Sequence, residues 1–135
     1  MLAPVMARRA RTRMLAIAAA AGALALGGCG EEGIELAKDD PNYEGAEIFQ
    51  ENCSGCHTIN AAGTQGSTTD PNDREYVDGP NFDTRQEKVD QVLYAIRNGG
   101  FSSGPMPQDI VVGDKAEKVA RFVAENSGGE AASGG

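Results

Sequence analysis

Cys53-Ser54-Gly55-Cys56-His57 is the stretch on which the reading of this 135-residue chain turns. Its spacing sets two thiols about one helical turn apart and puts an imidazole directly behind the second. Thiols so placed can add to the two vinyl groups on one edge of a porphyrin, and the imidazole then reaches the iron at its centre. The pentapeptide is therefore read as the attachment site of one covalent haem c, with Cys53 and Cys56 as the thioether residues and His57 as proximal ligand. Other uses of the same residues lack material. A thioredoxin-like dithiol needs a βαβ pattern around it, and no parallel-strand pattern is visible. A tetrahedral zinc site needs four ligands, and beyond the first 28 residues the chain offers only Cys29, Cys53, Cys56 and His57. An inert pair of buried thiols beside a surface histidine is the plain alternative, and the spacing disfavours it.

The N-terminus reads as an export signal, residues 1–28. Arg8, Arg9, Arg11 and Arg13 precede an apolar run from Met14 to Leu26 that is too short to span a bilayer comfortably. Leu26-Gly27-Gly28-Cys29 resembles the lipobox of bacterial lipoproteins, which implies a lipid anchor on Cys29. Simple secretion is the alternative, since Gly28 also suits an ordinary signal peptidase. With one thiol given to lipid and two to haem, no disulfide is expected despite an oxidising location.

Loss of residues 1–28 removes four arginines and no acid, leaving eight basic residues against twenty acidic ones, a net charge near −12. That balance argues against nucleic acid and against anionic lipid headgroups as partners. Residues 29–40 read as an acidic linker, 41–127 as one small domain, and 128–135 as a disordered tail rich in Gly, Ser and Ala.

The pattern predicts an all-α domain of three main helices and long loops wrapped around the haem. The first helix is expected over Pro41 to Asn52, with Asp40 as N-cap and Pro41 at the first helical position. The second is opened by a capping box at Thr84-Arg85-Gln86-Glu87. It continues through Val89, Val92, Leu93 and Ile96 and ends at Asn98-Gly99-Gly100. The third starts at Asp114 and buries Ala116, Val119, Ala120 and Val123, with Phe122 on its flank and a stop at Asn126 to Gly129. Ile110-Val111-Val112 is read as a packed connector. The polar run Asn60 to Asp78 is long for a structureless loop, and wrapping a haem edge would explain it.

The sixth iron ligand follows by elimination. His57 is the sole histidine, so a second histidine is unavailable within the chain. Met1, Met6 and Met14 lie in the export signal, which leaves Met106, set in Gly104-Pro105-Met106-Pro107. Prolines on both sides stiffen the backbone that would hold its thioether. A lysine ligand or an open position are the alternatives.

Several features in order resemble class I cytochromes c over roughly Pro41 to Ser127. Gly45-x-x-x-Phe49 before Cys53 is similar to the N-terminal helix of that family, where a glycine permits close crossing of the C-terminal helix. Phe122 would be the aromatic partner there. Gly79-Pro80-Asn81-Phe82 resembles the family's G-P-N-apolar loop, which implies that the Pro80 carbonyl accepts a hydrogen bond from His57 Nδ1. The loop after His57 lacks an apolar strap, and the lysine ring that some members use for docking is absent.

A His/Met centre has no vacant site, which favours outer-sphere electron transfer over catalysis. The expected function is single-electron transfer by a monomeric carrier on the outer face of the cytoplasmic membrane. It would run between complexes such as a quinol-oxidising complex and a terminal oxidase. A haem subunit of a larger oxidoreductase, and a haem sensor or peroxidase with a labile Met106, are the alternatives.

Overall fold

The computed structural model describes residues 33–129, apart from Thr69 and Pro71. The expected export signal, Cys29 and the last six residues lie outside the described residues. Among the described residues, three helices and one small hairpin make up the order. Helix α1 (Tyr43–Cys53) leads into strand β1 (Thr58–Ile59), a 3₁₀ turn (Asn60–Ala62) and strand β2 (Thr64–Gln65). Helices α2 (Val89–Asn98) and α3 (Asp114–Asn126) follow. The all-α reading with long connections holds.

Helix α3 carries the architecture, because it packs against both α1 and α2. Its Ala116, Val119, Ala120 and Val123 recur at helical spacing and are all buried, as their periodicity requires. Phe122 does not lie on the flank of the helix. It is fully buried, and its ring meets Phe49 of α1 edge-on, with centroids 5.7 Å apart. Small residues at the crossing make this depth possible. A Cβ on Gly45 would stand 2.6 Å from the Lys118 carbonyl oxygen and 2.8 Å from Phe122 Cβ, closer than atoms tolerate. The glycine expected to permit the crossing therefore does so, and an ion pair between Glu44 and Lys118 (2.5 Å) closes its exposed edge.

Helix starts differ from their sequence expectations for local reasons. Helix α1 begins at Tyr43, two residues beyond Pro41, because Asp40 forms a turn of its own. Its Oδ1 accepts from the Asn42 N–H at 2.7 Å, and its carbonyl accepts from Tyr43. The Thr84 capping box does not form. Helix α2 opens at Val89, and the Lys88 N–H donates to Gln91 Oε1 at 3.0 Å. Glu87 is unavailable to Thr84 because it is buried and held by Arg85 at 2.6 Å, while its N–H donates to Ser127 Oγ. The expected stop is present. Gly99 takes a left-handed φ of 71°, and the Gly100 N–H bonds the Ala95 carbonyl. Helix α3 starts at Asp114 as read, with Gly113 as its N-cap residue.

The domain is longer than 41–127 at both ends. Ile34 and Leu36 rest against the core, and the Glu35 N–H donates to the Ala61 carbonyl, so this part of the acidic linker belongs to the fold. At the other end the Gly128 N–H donates to the Phe82 carbonyl at 2.7 Å. The polar run after His57 is also more structured than its composition suggests. Ile59, Ala62 and Thr64 are buried, with Ile59 paired to Thr64 and Thr58 to Gln65. Residues 72–77 beyond it are exposed. Ile110-Val111-Val112 is a connector that buries only Val111.

Gly45→Ala is expected to lower the unfolding free energy of the haem-loaded protein by about 1–3 kcal/mol through overpacking at the α1–α3 crossing. Denaturant titration checks this, and an unchanged midpoint would contradict the crossing described.

Candidate haem site

The last turn of α1 delivers the pentapeptide. Cys53 ends the helix, and its carbonyl accepts from the N–H groups of both Cys56 (3.2 Å) and His57 (3.0 Å). This turn keeps the two thiols on a short backbone arc with the imidazole just beyond. Both thiols are free, as two thioether bonds require. Burial, and then the neighbouring Cys56, push the Cys53 thiol up to about 12, so it remains a neutral thiol rather than an ion.

His57 is fixed from several directions. Its Nδ1 lies 3.1 Å from the Pro80 carbonyl oxygen. A carbonyl can only accept, so the proton sits on Nδ1 and the Nε2 lone pair is left over. Among the described residues Nε2 has no bonding partner. Burial lowers the imidazole's proton affinity below its usual value, opposed by the bond to Pro80, so the neutral ligand form is favoured. Gly79 completes this side. A Cβ there would fall 2.5 Å from His57 Nδ1 and 2.8 Å from Nε2, so only glycine lets the backbone lie against the ring. Its own N–H donates to the Cys56 carbonyl at 2.7 Å, which ties the Gly79-Pro80 turn to the pentapeptide.

In the sequence Phe82 stands out only as the apolar end of the Gly79-Pro80-Asn81-Phe82 loop. It lies parallel to His57, with ring centroids 4.9 Å apart and planes 12° apart. Phe49 meets the Phe82 ring edge-on at 6.0 Å and the imidazole at 6.3 Å. No periodicity marks this residue, because it sits in a turn.

Met106 stands on the loop between α2 and α3. It is half-buried and packs against the core cluster. The loop is pinned where it returns. The Asp109 N–H donates to the Ile96 carbonyl at 2.8 Å, and the Met106 carbonyl lies against Gly99, where a Cβ would stand 2.8 Å away. Cys53, Cys56, His57 and Pro80 are thus drawn together, while Met106 reaches the core from a separate loop. A different feature, an open polar cleft of about 630 Å³, is lined by Thr58, Gln65, Asp73, Glu75, Asp78 and Asp83 among others. It contains none of the thiols and neither candidate iron ligand.

These residues suit a covalent iron porphyrin: two free thiols, one imidazole nitrogen without a partner, and a glycine that leaves the ring its room. The chain matches the family described as "Cytochrome c" over residues 43–127 and belongs to it. It is 32% identical over 82 residues to cytochrome c-551 of Bacillus subtilis (strain 168), a stretch that is 61% of this chain and 61% of that protein. The chain therefore spans less than two thirds of that relative's length. The crystal structure of the c-type cytochrome SorU from Sinorhizobium meliloti is similar to it with a TM-score of 0.51 and 31% identity. That likeness covers 67% of this chain and 95% of SorU. A member of this family carries covalent haem c, here through Cys53 and Cys56.

Gly79→Ala is expected to displace the imidazole from the Pro80 carbonyl. Haem should remain covalently attached while the oxidised-state absorption spectrum changes and the protein becomes less stable to denaturant. An unaltered spectrum and midpoint would show that the ring does not need this close approach.

Proposed function

We propose that this cytochrome c is a membrane-tethered single-electron carrier whose iron is held between His57 and Met106. The haem, when bound, supplies a reversible one-electron change at its iron. The chain's residues then do the rest. His57 presents Nε2 because its Nδ1 proton is committed to the Pro80 carbonyl, and that commitment is the observation that carries the reading. A ligand whose tautomer is set beforehand needs little rearrangement between oxidation states.

Met106 is favoured as the second ligand by supply and by placement. It is the one methionine beyond residue 14, it packs inward, and the loop that bears it is stiffened by Pro105 and Pro107 and pinned to the end of α2. Thioether ligation opposite histidine raises the reduction potential and closes the iron to small molecules. Both effects suit a carrier better than a catalyst.

The tether reading rests on Leu26-Gly27-Gly28-Cys29 behind a basic and apolar leader. No helix among the described residues is long and apolar enough to cross a membrane. A lipid on Cys29 would hold the domain at the outer face of the cytoplasmic membrane, close to complexes such as a quinol-oxidising complex and a terminal oxidase. Tethering raises the effective concentration of carrier at both partners. The acidic balance suits docking on basic faces of such partners.

Met106→Ala is expected to abolish the weak far-red sulfur-to-iron absorption band and to lower the reduction potential, with haem still attached. Persistence of the band would place the sixth ligand elsewhere. Cys29→Ser should move the protein from the membrane fraction to the soluble fraction. Continued membrane association would sink the lipid anchor.

A further inference from the structure

We infer that Phe82 is a positioning residue for the proximal ligand: its ring, stacked on the His57 imidazole, sets the rotational angle at which that imidazole meets the iron. The inference rests on His57 being the iron ligand and goes beyond it. A hydrogen bond from Nδ1 to the Pro80 carbonyl fixes the tautomer and one direction in the ring plane. It leaves the imidazole free to swing about the axis through its nitrogens, because a single donor and acceptor tolerate a broad range of angles. A flat partner face removes that freedom. Phe82 supplies it, at 4.9 Å between centroids and 12° between planes.

The ring could serve as a reference surface only if it were itself immobile, and its backbone is held from both sides. The Phe82 N–H donates to the carbonyl of Thr58, the residue after His57, at 2.9 Å. The Phe82 carbonyl accepts from Gly128, beyond the end of α3, at 2.7 Å. Asn81 adds a parallel bridge to Thr58, and Phe49 abuts the ring edge-on. Phe82 is nearly inaccessible to solvent. The imidazole plane is thereby referred to α1 through Phe49, to the hairpin through Thr58 and to the C-terminal segment through Gly128. A ligand locked by such surrounding packing keeps one orientation in both oxidation states.

The test uses the full haem-loaded protein and reads the proton NMR spectrum of its oxidised form. The spread and order of the four haem-methyl shifts depend on the angle of the axial imidazole plane. Phe82→Leu, and Phe82→Met as a second variant of similar bulk without a flat face, should reorder or compress those shifts. Phe82→Tyr, which keeps the face, should retain the wild-type pattern. Val119→Ala thins the buried core on α3 instead, and should lower the unfolding midpoint while leaving the pattern intact. A wild-type pattern in both Phe82→Leu and Phe82→Met, even with lowered stability, would reduce Phe82 to core filling and overturn the proposal. Absence of iron-bound imidazole resonances in the wild-type protein would overturn the ligand assignment beneath it, an outcome distinguishable because it appears before any substitution.

Discussion

An imidazole has two nitrogens, and a haem protein must keep one of them occupied so that the other is always presented in the same way. In this chain the Pro80 carbonyl accepts the hydrogen bond from His57 Nδ1, and much of the structure can be traced to that one bond. A backbone carbonyl can approach so near the ring only if the preceding residue lacks a side chain, hence Gly79. The Gly79-Pro80 turn stays in register because its N–H is tied to Cys56. Residues 81 and 82 then pair with Thr58, and the last residues of the fold pair with Phe82. The C-terminal helix is therefore not only a partner for α1. Its end helps hold the turn that holds the ligand.

The α1–α3 crossing serves the same end from the other direction. Gly45 lets the helices touch backbone to backbone, and that depth buries Phe49 and Phe122 face against edge. Phe49 in turn reaches both Phe82 and His57. A continuous aromatic path leads from the helix crossing to the proximal imidazole. Packing of this kind transmits small displacements, because close-packed interiors do not yield.

Covalent chemistry was the most legible part of the sequence. Two cysteines and a histidine at fixed spacing need no tertiary context to be recognised. Gly45, Phe49, Phe122 and the Gly79-Pro80-Asn81-Phe82 turn were readable as an ordered resemblance, and the structure puts them in contact. Local signals misled where a long-range partner outcompeted them. Thr84 and Glu87 have capping-box spacing, yet Glu87 is claimed by Arg85 and Ser127, so the helix begins four residues after the nominal cap position would allow. Ile34 and Leu36 were hidden in an acidic stretch, and their two side chains are too few to show a period. Gly128 looked like the first residue of a tail because nothing in its composition reveals a bond to Phe82. The stack of Phe82 on His57 joins residues 25 apart in a turn, and no one-dimensional pattern encodes it.

In the proposed centre both axial positions are filled by this chain's own residues, His57 and Met106. The most direct test is the visible spectrum of the reduced haem-loaded wild-type protein before and after addition of carbon monoxide. A six-coordinate His57/Met106 centre predicts a low-spin spectrum of covalently bound haem c that carbon monoxide leaves unchanged at neutral pH. A high-spin spectrum, or rapid and complete conversion to the carbon monoxide form, would contradict it and point to an iron open to ligands.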